Sequence, residues 1–528
     1  MNNLEDLVTE LHRRGAVELL QQPLIGLEKE SLRVAPDGTL SQQAHPLALG
    51  SALTHSCVTT DYSEAMLELI TPPLHGAKQS LDCLSDIHTH VYNNLGDEIL
   101  WATSMPCVLA GETHIPIARY GESHAGRMKH IYRVGLGHRY GKVMQVISGV
   151  HYNYSVAEEF WPLWATLKQV EGSRAGELQR LIDASYMGMV RNLQRYGWII
   201  PYLFGASPAV CKTFFGEQGT NMQEFDEGTY YEPYATSLRM SDIGYQNQKE
   251  ESVGIKANYN SLESYIDSLQ CAINTSSPVW EQIGLKDGDG AYKQLNTNIL
   301  QIENEYYSTV RPKQLLQGME KPTSALNARG IRYVELRSLD VNAYQPQGID
   351  ETQMLFLEAF LLTCLFQESP AISLEERPEI DNNLLLSARR GREPGLKLRR
   401  NGADIPLKVW GEQLLSSMEA VCSLVDVNES GAPYQAALDL QRRKIENAAE
   451  TPSALMLEEM RDNGESFYHF ARRKSLQHNR YFHQRKISTA TERRFIDEGI
   501  DSLQRQQQKE AADSGAFDDF LSDYFAGR

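Results

Sequence analysis

Apolar and polar positions alternate in several places with the period of two that a β-strand imposes. In the stretch 25–34, Glu28 and Glu30 leave the same side as Leu32 and Val34, while Lys29, Ser31 and Arg33 leave the other. Residues 66–70 put Met66, Glu68 and Ile70 on one face, and Pro72 ends the run. A helix there would align Asp61, Glu64 and Glu68 instead, but Thr71-Pro72-Pro73 favours a strand. Across 145–155, Gln145, Ile147, His151 and Asn153 share a face opposite Val146, Val150, Tyr152 and Tyr154. The run 331–340 groups Tyr333, Glu335, Arg337 and Leu339, and 294–313 reads as a further, mixed strand.

Helical spacing accounts for much of the rest. Leu4, Leu7, Val8 and Leu11 predict a first amphipathic helix, and Leu81, Leu84, Ile87 and Val91 a second that ends near Gly96. Residues 156–197 read as long helices, and helices follow near 352–368, 409–427, 434–449 and 453–474. The apolar run 354–366 contains Glu358 and is too short to span a bilayer. The segment 119–141 is basic and punctuated by glycine, which suits either an anion-binding element or a solvated loop. Three regions are expected: 1–372 as a sheet region with flanking helices, 373–474 as a helical part packed on it, and 475–528 as a polar tail. A frayed terminus is the default for such a tail, although 517–525 could dock as a short helix.

With 41% apolar and 23% charged residues, the 528-residue chain has the composition of a soluble globular protein. Its net charge of -18 argues against a nucleic-acid binder or an anionic-membrane binder, so neither partner is expected. The chain opens without an apolar signal core, and its seven cysteines form no C-x-x-C pair. Reduced thiols in a cytoplasm are expected.

An isolated Glu-x-Glu pair is ordinarily a solvated edge, and a lone histidine is ordinarily structural. Matching polar faces change that reading. If the strands belong to one sheet, they gather Glu28, Glu30, Glu68 and Glu335, with Asp61 and His151 nearby. Five bare carboxylates in one concavity are not tolerable without protons or cations. Oxygen ligands with one imidazole suit Mg²⁺ or Mn²⁺ rather than zinc. A carboxylate floor of that kind implies a nucleoside triphosphate, with Arg337 and Arg133 to stabilise a transferring phosphoryl group.

The motifs GLEKESLRV, SALTHSCVTTDYSEAMLELITP, YGESHAGRMKHIYRVGLGHRYG, MQVISGVHYNYS, WIIPYLFGASPAVC, YYEPYATSLRMSDIGY, LQIENEYYSTVRPK and YVELRSLD occur in that order. Over roughly residues 20–370 the chain resembles the proteobacterial glutamate-cysteine ligase (gamma-glutamylcysteine synthetase) family. Beyond about 372 the resemblance is weak, and the tail after about 475 departs from the family pattern. It implies an α+β fold with a glutamine-synthetase-like antiparallel sheet curved into a saddle and surrounded by helices. It also implies ATP-dependent joining of the glutamate gamma-carboxylate to the cysteine amine through gamma-glutamyl phosphate, the first step of glutathione biosynthesis. Carried over, Glu28, Asp61 and Glu68 resemble ligands of one metal, Glu68, His151 and Glu335 of a second, and Glu30 with Glu335 of a third. Arg337 and Arg133 resemble the catalytic, phosphoryl-stabilising arginines, and Arg239 the one that holds glutamate. Tyr132, Gln145, Tyr245 and Tyr307 resemble walls of the cysteine pocket, Asn153 lies beside the metals, and Glu64 is structural. Glutathione is expected to compete, since it contains the product's gamma-glutamyl group, and a monomer is expected. The alternatives are a ligase of the same fold with another acceptor amine, and a non-catalytic module that binds divalent cations.

Overall fold

The computed structural model describes residues 4–106, 108–169, 176–216, 219–244 and 256–527. Its strands, in chain order, are β1 Leu24–Val34, β2 Val58–Thr60, β3 Met66–Ile70, β4 Leu74–His75, β5 Ile99–Leu100, β6 Gly149–Ser155 and β7 Ala209–Cys211. They continue with β8 Gln223–Asp226, β9 Thr229–Tyr231, β10 Val310–Lys313, β11 Tyr333–Asp340, β12 Lys397–Arg400 and β13 Ala403–Pro406. The main sheet runs β10-β11-β6-β1-β3-β2, open at both ends, with β4 and β5 also on β1. Every pairing in it is antiparallel. β7, β9 and β8 form a separate small sheet, and β12 with β13 a hairpin.

β1 lies inside the sheet, between β6 and β3, so the Glu28/Glu30 pair is no solvated edge. On its outer face, Ile25 and Leu27 join Val150, Tyr152 and Tyr154 of β6 in the main core. The helices Gly76–Tyr92 and Glu351–Phe366 contribute to the same core, and each large apolar side chain buried there stabilises by about 1.5–3 kcal/mol. Lys29 is turned into this layer too, where its Nζ lies 3.2 Å from His88 Nε2. Burial lowers its pKa to about 7.

A β-bulge changes the reading of β11. Glu335 and Leu336 oppose Asn153 and Tyr152, but the next regular partners are Leu339 opposite Val150 and Asp340 opposite Gly149. One extra residue is therefore accommodated at Arg337-Ser338, against His151. Leu339 consequently enters the main core with Leu336 and Val150 instead of sharing a face with Arg337. Asp340 takes the polar side, where its carboxylate accepts hydrogen bonds from Ser207 and Ser237.

Several expectations are corrected in the connecting segments. The stretch 294–306 is irregular with a short 3-10 turn, and the strand begins at Val310. Gln145 belongs to a 3-10 turn, Met144–Val146, ahead of β6. The basic segment is the helix His124–Tyr140, capped by Ser123 Oγ accepting from Gly126 N. Its glycines are packing residues: a Cβ on Gly135 would stand 2.2 Å from Gln301 Oε1. The helices near the C-terminal side appear at Leu407–Val425, Pro433–Glu446, Pro452–Asn463 and Phe467–Gln484, joined by an unforeseen one at Glu376–Arg390. Beyond residue 484 the chain is not frayed but forms the helices Thr489–Ala512 and Phe517–Ala526. Among the described residues no helix is long and apolar enough to cross a membrane, and six cysteines are free, Cys107 lying outside them.

Candidate active site

In an antiparallel pair, directly opposed residues point to the same face. The registers therefore stack the polar side chains into rungs on the inner face of the sheet. Glu68 opposes Glu30 and Thr59, and Glu30 Oε2 accepts the Gly149 amide at 2.6 Å. Glu28 opposes His151, which in turn faces the Arg337-Ser338 bulge. Asn153 opposes Glu335, which opposes Arg311. Alternation thus brings Glu28, Glu30, Glu68, His151, Asn153, Glu335 and Arg337 together from four strands.

His151 is the hub of this face. Its Nδ1 lies 3.1 Å from Glu28 Oε2 and 4.0 Å from Glu335 Oε1, and its Nε2 3.6 Å from Glu30 Oε1. Asn153 Nδ2 donates to the other oxygen of Glu28 at 2.8 Å. Arg337 Nη1 donates to Glu335 Oε1 at 3.1 Å and sits 3.4 Å from His151 Nδ1. These demands on Nδ1 conflict. As a donor it serves Glu28; with a lone pair it can serve Arg337 or a cation.

Electrostatics separates the acids. Burial pushes Glu68 well above the usual carboxylate range, and Glu28, Asp61 and Glu30 push it further. Burial also raises Glu30, although His151 pulls the other way. Burial would raise Glu28 as well, but the His151 hydrogen bond and nearby Lys313 hold it at about 2. Against burial, Glu335 is held below its ordinary value by Lys313, Arg337, His151 and Arg311. Glu28, Glu68 and His151 each offer a ligand atom, all within 4.8 Å of one another. Two hard oxygens and one imidazole, with a carboxyl group that resists ionisation until its neighbours are neutralised, fit a hard divalent cation.

Asp61 stands one step away. Its main-chain oxygen accepts from Arg133 Nε, and Arg133 Nη2 lies 3.9 Å from Oδ1. Arg133 and Lys129, one helical turn apart, both lie over the Tyr120 ring. Arg239 spans the other flank, donating to the Arg337 carbonyl at 2.9 Å with Asp340 Oδ1 at 3.9 Å. Gly149 makes this possible, because a Cβ there would stand 2.1 Å from Arg239 Nη2. Tyr307 donates to Met240 Sδ, which also receives Arg239 Nη1. Tyr132 is on the Arg133 helix, its carbonyl accepting from Gln301, and Gln145 is buried ahead of β6. Tyr245 lies outside the described residues. Glu64 caps main-chain amides of His45 and Arg119 and takes no part in the face.

Sequence reasoning passed over Lys313, whose Nζ pairs with Glu335 Oε2 at 3.3 Å, and Arg311, directly opposite Glu335. Their alternation on the edge strand β10 was the available signal, obscured because the strand was expected to begin much earlier. Asp340 was hidden by the bulge.

Residues 8–386 match the family model described as glutamate-cysteine ligase. A glutamate-cysteine ligase of Alcanivorax borkumensis is 43% identical over 529 residues, covering 99% of this chain and 100% of that protein. One from Pseudomonas aeruginosa is 47% identical over 508 residues, covering 96% and 95%. The likeness therefore continues through the C-terminal segment, where the motifs alone had faded. The structure of a Francisella tularensis glutamate-cysteine ligase in complex with AMP superposes with a TM-score of 0.89 at 35% identity, covering 96% of this chain and 98% of that one. A bifunctional glutathione synthetase from Pasteurella multocida shares the fold at a TM-score of 0.66 and 24% identity, with 90% of this chain and 54% of that one aligned. The open antiparallel sheet, its ladder of acids around one histidine and these matches along nearly the whole length make this chain a member of the glutamate-cysteine ligase family.

Proposed function

We propose that the inner face of the sheet is where ATP activates glutamate for attack by cysteine. As a glutamate-cysteine ligase, the chain makes gamma-glutamylcysteine, the first step of glutathione biosynthesis. A carboxylate does not acylate an amine. Its oxygen first takes the gamma-phosphoryl group of ATP, releasing ADP, and the amine nitrogen then attacks the acyl carbon, loses a proton and expels phosphate. The observation that carries this reading is the Glu28-Glu68-His151 set with Arg337 beside it.

Mg²⁺, with Mn²⁺ as the substitute, is the cation that this donor set suits. Glu28, Glu68 and His151 would hold it, with Glu30, Asp61 and Glu335 around them. A bound divalent cation neutralises the repulsion between the glutamate carboxylate and the triphosphate. Arg337, fixed by Glu335, and Arg133, fixed by the Asp61 carbonyl, supply preoriented donors for charge on the transferring phosphoryl group. Arg239, braced against the Arg337 carbonyl, takes the glutamate moiety. Tyr132, Gln145 and Tyr307 wall the cysteine side, and Asn153 orients Glu28. Lys313 pairs with the second oxygen of Glu335.

The same proposal has the protein acting as a cytoplasmic monomer, with glutathione as a competing ligand; the free cysteines of the described residues support a reducing compartment. The test is phosphate release from ATP, Mg²⁺ and glutamate, which depends strongly on cysteine. Equal release with unrelated amines would remove the substrate assignment.

A further inference from the structure

Among the described residues, the expected substrate-facing groups belong to the sheet or the loops beside it, except Tyr132 and Arg133, which ride on the helix His124–Tyr140. That helix is not held by the sheet alone. Its N-terminal end is closed by carboxylates from the far end of the chain: Glu510 Oε1 accepts the Glu122 amide at 2.9 Å, and Asp513 Oδ2 accepts the His124 amide. Acids at that position also satisfy the positive end of the helix dipole. One turn on, Phe517 and Leu521 are buried in a separate apolar cluster with Met128, Ile131 and Leu295. Arg127 covers the Phe517 ring at 4.3 Å. Lys286 and Tyr292 pin the last helix through Asp518.

The helix Thr489–Ala512 grips a second element as well. Ser51 donates to Gln506 through its hydroxyl and to Ser502 Oγ through its amide, and Glu498 Oε1 accepts the Ser56 amide. These residues lead directly into β2 and Asp61, whose carbonyl receives Arg133. The two elements that meet at the Asp61–Arg133 contact are thus held by one continuous C-terminal segment.

We propose that residues 489–527 are a strap that positions Tyr132 and Arg133 against Asp61 for the ligation, an inference that rests on the roles given to those residues above. Phe517, Leu521 and Asp513 are its positioning residues; none of them reaches the acid face. A displacement of the helix by about 1 Å is enough to cost a large factor in turnover.

The test uses the full-length chain with Phe517→Ala and Leu521→Ala combined, and Phe517→Tyr with Leu521→Met as the conservative pair. The double alanine variant is expected to raise KM for cysteine through Tyr132 and to lower kcat through Arg133, costing together about tenfold or more in kcat/KM. Amide exchange at residues 122–128 should accelerate while that of β1, β3 and β6 stays as in the parent, and the conservative pair should restore both. An unchanged kcat/KM in an active variant, or a change that accompanies faster exchange across the whole sheet, overturns the proposal. If the parent protein itself shows no cysteine-dependent phosphate release, the functional reading has failed instead. Exchange at 122–128 then decides by itself whether the strap holds the helix.

Discussion

Glu358 sits in the middle of the helix Glu351–Phe366 with no exposed surface, behind the strand that carries His151 and Asn153. Both of its carboxyl oxygens are buried without a hydrogen-bond partner, and the Tyr152, Tyr154 and Tyr434 hydroxyls lie within its field. Burial raises its pKa from 4.5 to about 8. The group is therefore neutral in the folded protein at pH 7, whereas in the unfolded chain it ionises above 4.5. The folded state binds the extra proton, so this contribution is fully present below pH 4.5 and is lost as pH rises towards 8, at about 1.4 kcal/mol per unit. The whole interval corresponds to roughly 5 kcal/mol. Glu358→Gln keeps the shape but removes the titration. Urea unfolding of both proteins between pH 5 and 9 isolates the effect, because all other titrating groups cancel in the difference. The stability of the parent should fall relative to the variant up to about pH 8 and run parallel to it above that. A difference independent of pH would refute a buried neutral carboxyl at this position.

Other outcomes follow from the acid face. Glu335→Gln, which removes the charge that fixes Arg337, is expected to lower kcat by about 10²–10³-fold in a protein that still unfolds in one cooperative transition, at a lower midpoint because Lys313 and Arg337 lose their partner; near-normal turnover would remove Glu335 from the machinery. Saturating Mg²⁺ at about a hundred times its Kd should stabilise the parent by about 2.7 kcal/mol, and Glu68→Gln should abolish most of that shift while leaving the metal-free protein less sensitive to rising pH, because the raised Glu68 carboxyl no longer has to ionise. Gly149→Ala drives a methyl group into Arg239 and should raise KM for glutamate more than KM for cysteine, which initial-rate kinetics would resolve.

Much of the face was legible because a strand has a period of two. Alternation in 25–34, 66–70 and 149–155 placed Glu28, Glu30, Glu68, His151 and Asn153 on one side, and the pairing bears that out. The period is read within one strand, however, and a bulge is a property of two. Nothing inside YVELRSLD announces that Arg337 and Ser338 share one partner, so Leu339 was grouped with Arg337 although it faces the core. The helix 124–140 was obscured for a different reason. Its glycines read as breakers, yet Gly135 is small because Gln301 approaches it. The C-terminal helix 489–512 buries Phe495, Gly499 and Ser502. A stripe of small and polar residues carries almost no apolar period, so a well-packed helix looked like a solvated tail.

The central claim is that this face transfers phosphate from ATP to glutamate and then hands the acyl group to cysteine. Phosphate release and gamma-glutamylcysteine formation, followed together with ATP, Mg²⁺ and glutamate in the presence of cysteine, of unrelated amines and of no amine, test it most directly. The account predicts matched formation of both products with cysteine and little release otherwise. Equal release with every amine, or no release at all, would contradict it.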